Sequence, residues 1–333
     1  MGVIVTPEAN DYLLEVVPPY LKTLAEKKSE GSAYKFSAAA VIQTPAGIWV
    51  ASGVNLNLGY ENICAERAVI AQAAKWGSAI PLLFVYGAGD MCGNCRQGWL
   101  EHSPWNAVAY SFDAITGKYK KGRLPKILPM PFLSKGRRKK HEQHNGNPQL
   151  LLNRRGARKA IKDLLASSTQ LPYGLSVDIL AQQAECAGKI GEPTVMTGLV
   201  YANRRYATGP RLEFGGGIIT SSTMTALAEG VTVQGITQPI REIHLWGATA
   251  AFDQDPQIRK EALDLYQLIP RYYQRLTPLQ SLKEAVKETA DIPVFVYDRQ
   301  GKLLFEGPLI DVGSMTDPFH ELRQQKLDLI IQR

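Results

Sequence analysis

Three cysteines and a glutamate are the residues of this chain best suited to chemistry: Cys64-Ala65-Glu66-Arg67, and further on Cys92-Gly93-Asn94-Cys95-Arg96-Gln97. Three thiolates fill three corners of a tetrahedral zinc site. A structural site closes the fourth corner with another protein ligand, whereas a catalytic site keeps it for water. Glu66, two residues past the first sulfur, is placed to handle the protons of that water. The pattern therefore predicts a Zn2+ centre with Cys64, Cys92 and Cys95 as ligands and Glu66 as general acid and base. The blander reading is a structural zinc knot, or a chance Cys-x-x-Cys near a buried cysteine. The glutamate, the arginine and the glutamine that accompany the spacing weigh against it. His141-Glu142-Gln143-His144 has its histidines three apart in a polar, basic stretch, unlike the i, i+4 pair of a zinc helix, and reads as a surface loop.

The elements that must hold these residues follow from local pattern. Residues 36–42 and 47–53 read as two strands joined at Pro45-Ala46-Gly47. The Ala-rich stretch 64–76 reads as a helix, 81–86 as a buried strand, 93–102 as a second helix and 106–112 as another strand. Strand, helix, strand, helix, strand implies a sheet with helices on its faces. Both metal motifs then open helices, whose positive ends favour thiolate over thiol. Cys92 and Cys95, three apart, project to one side of a first turn. Arg67 and Arg96 follow the sulfurs closely and offset the negative charge of the ligand set.

A chain of 333 residues has room for roughly two domains. No apolar stretch approaches the ~20 residues of a membrane helix, and 1–17 lacks the basic start and apolar run of a secretory signal. Three of the four cysteines fall in the metal pattern and only Cys186 elsewhere, which favours a reducing compartment, the cytoplasm by default. Residues 118–163 hold 15 Lys and Arg against Glu142 and Asp163, so a net +13 lies in this one segment and the rest of the chain is −6.

The chain also contains traces of an internal repeat. Residues 50–59 can be laid over 206–215 at an offset of 156, a register that sets Cys64-Ala65-Glu66 against Thr220-Ser221-Ser222. No cysteine follows Cys186, so one active site per chain is expected. The expected organisation is a catalytic domain over 1–133, a basic linker over 134–163 and a degenerate, non-catalytic domain over 164–333.

At Cys-Ala-Glu-Arg, 64–67, and Cys-Gly-Asn-Cys-Arg-Gln, 92–97, the chain resembles the cytidine deaminase superfamily, most closely its three-cysteine branch of nucleoside cytidine deaminases and blasticidin-S deaminases. The resemblance covers 34–132 and reaches the second half through the repeat. It implies an α/β fold of two tandem three-layer α/β/α sandwich domains, the second without metal ligands. It implies zinc-dependent hydrolysis of the 4-amino group of cytosine in a nucleoside or nucleoside analogue, giving the uracil form and ammonia. Carried over residue by residue, Phe36 packs on the base, Ala65 offers its backbone to the pyrimidine edge and Asn55 binds a ribose hydroxyl. Arg67, Arg96 and Gln97 support the ligands from behind. Nucleoside deaminases carry a glutamate where this chain has Asn57; the amide lacks the charge that strengthens a hydrogen bond by ~1 kcal/mol. Blasticidin-S deaminases lack that carboxylate too, so a modified sugar or a nucleoside antibiotic fits the pattern. Met91 replaces the family's usual proline before Cys92, leaving that loop's φ unfixed. Duplicated relatives use their inert half to complete a pseudo-fourfold assembly, which implies a homodimer.

Two rival readings follow from the rest of the chain. The basic runs 135–140 and 154–159 would suit the phosphate backbone of RNA or single-stranded DNA. No aromatic lies between Phe132 and Tyr173, however, so the segment lacks a stacking platform and reads better as a linker. A non-catalytic scaffold is the other rival, and it would have no need of an open metal position.

Overall fold

The run Ser37-Ala38-Ala39-Ala40-Val41-Ile42 is buried on both faces, and its small side chains let helices approach the strand from either side. In the computed structural model, which describes residues 2–28, 35–59, 61–104, 106–123, 126, 149–167, 170–190, 195–214, 218–250, 254–277 and 281–316, this run lies inside a five-stranded sheet. The first half of the chain runs β1 (Gly2–Val5), α1 (Pro7–Lys28), β2 (Ser37–Thr44), β3 (Gly47–Val54), β4 (Leu56–Asn57), β5 (Asn62–Ile63), α2 (Ala65–Ala74), β6 (Leu82–Gly87), α3 (Gly93–Glu101), β7 (Val108–Asp113) and β8 (Tyr119–Arg123). Then come β9 (Gln149–Leu152), α4 (Arg154–Ser167) and α5 (Val177–Ile190). The second half follows as β10 (Met196–Tyr201), β11 (Tyr206–Pro210), β12 (Leu212–Phe214), β13 (Ile218–Thr220), α6 (Ser222–Gln234), β14 (Ile240–Ala248), α7 (Pro256–Leu276), α8 (Leu282–Thr289), β15 (Pro293–Asp298), β16 (Leu303–Pro308) and α9 (Leu309–Thr316).

The strand order of the first sheet is β3-β2-β6-β7-β8, with β6 and β7 parallel and every other neighbouring pair antiparallel. The second sheet, β11-β10-β14-β15-β16, has the same order and the same pattern of directions, its parallel pair being β14 and β15. The expected α/β class, with two layered sheets in tandem, is what the chain forms.

Alternation along the strands makes the layers. Ala39, Val41, Phe84 and Tyr110 turn to one face, where Leu13, Val17 and Leu21 of α1 cover them. Their neighbours Ala38, Ala40, Leu83 and Ala109 turn to the other, against Val69 and Ile70 of α2 and Trp99 of α3. The second sheet is built alike. Met196 and Trp246 pack on Leu180 and Ala184 of α5, while Leu199 and Leu245 share a cluster with Leu227 of α6 and Leu265 of α7.

Residues 149–163, within the span expected as a linker, are folded. β9 pairs in parallel with β1, and α4 buries Ala157, Ala160, Ile161 and Leu164 on one stripe, a helical spacing. Its exposed face keeps the basic residues Arg154, Arg155, Arg158, Lys159 and Lys162. Residues 134–148, including His141 and His144, lie outside the described residues. No described helix is long and apolar enough to cross a membrane.

Candidate metal centre

Cys64 is the N-cap of α2 and Cys92 the N-cap of α3, so two helix starts aim at one point, and Cys95 joins them from the first turn of α3. The three sulfurs lie within 4.8 Å of one another. Cys92 Sγ is 3.4 Å from Cys95 Sγ and accepts the backbone N–H of Cys95. Cys95 is buried, Cys64 half-buried and Cys92 exposed.

Sulfurs this close cannot all ionise without a counter-charge. The Cys92 thiol is drawn down to about 2 by hydrogen bonds from Cys64 and then from Cys95. Cys64 is pushed up to about 11, first by its hydrogen bond with Cys92, and Cys95 is pushed up by its hydrogen bonds with Cys64 and then with Cys92. One thiolate thus forms at the expense of the other two. A soft divalent cation held by all three would release that frustration, so the donor set fits zinc.

Glu66 sits at the start of α2, 3% exposed. Burial pushes its carboxyl up to about 7; the Cys92 charge adds to the rise, and its own backbone hydrogen bond and Arg67 oppose it. A carboxyl poised near neutrality, walled from solvent beside three sulfurs, can both take and give a proton.

Two glycines permit close contacts at the site, one of them with the start of α2. A Cβ at Gly53 would lie 2.7 Å from the Ala65 carbonyl and 2.8 Å from the Ala68 Cβ. A Cβ at Gly87 would lie 2.4 Å from Cδ1 of the Phe36 ring. Phe36 therefore packs tightly against the end of β6, where the loop that carries Cys92 begins.

The structure places the remaining expected residues as follows. Asn55 Oδ1 accepts the Ala65 N–H at 2.7 Å, so these two residues meet, with that amide occupied by the asparagine. Asn57 Oδ1 accepts the Gly59 N–H at 2.7 Å and closes its own loop. Arg67 is buried, donating to Thr220 Oγ1 at 2.8 Å and to the Asn62 carbonyl at 3.0 Å. Arg96 Nε holds the Met91 carbonyl at 2.8 Å, which ties down the loop that lacks a proline. Gln97 donates to Glu101 at 2.6 Å within α3.

Sequence reasoning missed what the second half brings to this site. Thr220 of β13 is the partner of Arg67, and the Phe214 ring of β12 covers Gly98 of α3, 2.8 Å from a would-be Cβ. Glu61 returns the contact, accepting from the Ser221 N–H and hydroxyl. Only the repeat register hinted at these pairs, and it does so one residue out of step. Asn55 and Arg211 are equivalent, each donating its backbone N–H to the start of its sheet, at Phe36 and Val195. From there the first half takes ten residues to reach Ala65 and the second takes eleven to reach Ser222. Ser221, the N-cap of α6, therefore stands in the place of Cys64.

In the second half an ion pair fills the corresponding space. Glu261, fully buried, accepts the Ser222 N–H at 2.7 Å and the Ser222 hydroxyl, and pairs with Arg211 at 2.7 Å. The orphan amide that Asn55 satisfies at α2 is satisfied by a carboxylate at α6, and Arg211 neutralises it.

No protein-family model matches the chain, and no curated protein matches it. Among solved structures it is similar to the cytidine deaminase from Burkholderia pseudomallei, at 20% identity over 35% of this chain and 98% of that one, with a TM-score of 0.29. It is similar also to the cytidine deaminase from Mycobacterium tuberculosis, at 25% identity over 35% of this chain and 97% of that one, TM-score 0.26. A third is the cytidine deaminase from Bacillus anthracis, at 12% identity over 39% of this chain and 99% of that one, TM-score 0.28. TM-scores this low decide nothing about the site, whose reading rests on its own geometry.

Proposed function

We propose that the chain is a zinc-dependent hydrolytic deaminase acting on the 4-amino group of cytosine in a nucleoside or nucleoside analogue. The observation that carries this reading is a buried carboxyl, Glu66, set against three convergent sulfurs at two helix N-termini. When bound by Cys64, Cys92 and Cys95, zinc supplies an acidified water as the nucleophile. Glu66 would take a proton from that water at its carboxylate and give it to the ring nitrogen of the base as C4 is attacked, then take the second proton, from the new hydroxyl on C4, and give it to the departing amine. Phe36 supplies an apolar face for the base. The side chain of Asn55 holds the start of α2, and with it Ala65 and Glu66, in place. Asn57, engaged with its own loop, offers the sugar no charged group, which favours a substrate that is modified there.

We also read the two halves as one duplicated unit, comprising a catalytic part over 1–133 and a non-catalytic part over 164–333. The shared strand order supports this, as does the glycine pair. Gly209 lets β11 approach α6 as Gly53 lets β3 approach α2; a Cβ at Gly209 would lie 2.2 Å from the Ala226 nitrogen.

The test is incubation of the zinc-loaded protein with cytidine, deoxycytidine, cytosine, cytidine monophosphate, blasticidin S and a short cytosine-containing RNA, reading ammonia and the uracil product. Release from a nucleoside or analogue supports the proposal. Release from the RNA alone would move it to polynucleotides, and release from none would refute it.

A further inference from the structure

Cys92 and Cys95 sit on the first turn of α3 as a Cys-x-x-Cys pair, and the placement that suits a metal also suits a bond between the two sulfurs. Their Sγ atoms stand 3.4 Å apart. A disulfide of ~2.0 Å needs them to close by roughly 1.4 Å, which rotation of the two side chains supplies. The pair is unequal in access: Cys92 is exposed, whereas Cys95 is fully buried. An accessible sulfur that meets an oxidant, next to a second sulfur that can resolve it, is the arrangement of a redox-responsive pair. Cys64 lies within 4.8 Å of both but opens a different helix. Cys186 is remote, its carbonyl packed against Gly77 past the other end of α2.

We infer that Cys92 and Cys95 form a reversible disulfide, so that oxidation decides whether the chain can hold zinc. This rests on the reading of Cys64, Cys92 and Cys95 as the zinc ligands and adds to it a control on metal occupancy. The oxidant is a peroxide. Cys92 Sγ attacks one oxygen of hydrogen peroxide, the O–O bond breaks, water leaves and Cys92 becomes a sulfenic acid. Cys95 Sγ then attacks Cys92 Sγ, the S–O bond breaks and a second water leaves. Two thiols have given two protons and two electrons to one peroxide, which leaves one S–S bond and two waters. Cys64 is then the last of the three ligands, too few for a zinc site. A dithiol reverses the bond by exchange and restores the set.

The test treats the zinc-loaded and the metal-free chain with hydrogen peroxide and reads intact mass, peptide mapping without reductant, and zinc release to a chromogenic chelator. Both forms should lose two hydrogens and map to a Cys92–Cys95 bond. The loaded form should release its zinc in step with that bond, and dithiothreitol should reverse the mass change and restore zinc binding. Cys64→Ser should still form the disulfide. Cys95→Ser should stop at a Cys92 sulfenic acid that dimedone traps, with circular dichroism confirming the fold; Cys95→Ala takes its place if it does not fold. A bond from Cys92 to Cys64 or Cys186, over-oxidation of Cys92 with no disulfide, or zinc retained beside the disulfide would each overturn the inference alone. Failure of the reduced chain to bind zinc would instead overturn the metal reading, and the control of occupancy with it, even where the disulfide forms.

Discussion

At the scale of the residue, Glu66 and the three sulfurs separate two roles that substitution can tell apart. Glu66 is not one of the proposed ligands, so Glu66→Ala should retain one zinc per chain by metal analysis and lose turnover by ~100-fold or more. Activity surviving that change would mean that another group moves the proton. Cys92→Ala removes both a ligand and the N-cap acceptor of α3, so metal content should fall together with thermal stability. The cluster was legible in the sequence because metal chemistry demands particular residue types at particular spacings. Arg67 was less legible. It was expected to compensate the ligand charge, and it also reaches across to Thr220, a pairing 153 residues apart that no local pattern encodes.

At the scale of the element, the start of α2 is positioned by backbone proximity. Gly53→Ala would drive a methyl into the Ala65 carbonyl and the Ala68 Cβ. It should cost ~1–3 kcal/mol by denaturant unfolding and lower activity more than global stability predicts, since α2 carries both Cys64 and Glu66. In the second half, Glu261→Ala leaves the Ser222 amide without its acceptor and Arg211 with Glu213 as its remaining counter-charge. A loss of ~1–3 kcal/mol is expected; a neutral result would mean that the pair contributes nothing net. Strands β2, β3, β6 and β7 and helices α2 and α3 were legible almost to their ends, because alternation and Ala-rich helical spacing are local signals, whereas the long helix α1 was not read. Helix α4 was hidden by its charge. Its basic residues read as a linker, although Ala157, Ala160, Ile161 and Leu164 carry a helical stripe.

At the scale of the whole molecule, the junction between the halves holds a set of buried acids. Asp264 of α7 is pushed up to about 8 by burial first, and next by Glu261 and Glu61. Its ordinary value is 3.8. Between these two values the native state keeps a proton that the unfolded chain has released, so this group makes stability fall as pH rises across that window. The slope is at most ~1.4 kcal/mol per pH unit. Asp264→Asn should therefore stabilise the protein at pH 8 and leave it unchanged near pH 4, a difference measurable by urea unfolding of variant against wild type at equal zinc. An identical pH slope in both proteins would show that Asp264 ionises freely. The second sheet was legible only as faint echoes at an offset of 156, because its helix α6 starts on a serine cap and a buried ion pair where α2 starts on a cysteine, so the strongest marks of likeness are missing there.

The central claim is an open tetrahedral zinc beside a carboxyl, and X-ray absorption at the zinc edge of the loaded protein tests it most directly. Three sulfurs at ~2.3 Å and one oxygen or nitrogen at ~2.0–2.2 Å are predicted. A shell of four sulfurs, or one with fewer than three, would contradict it.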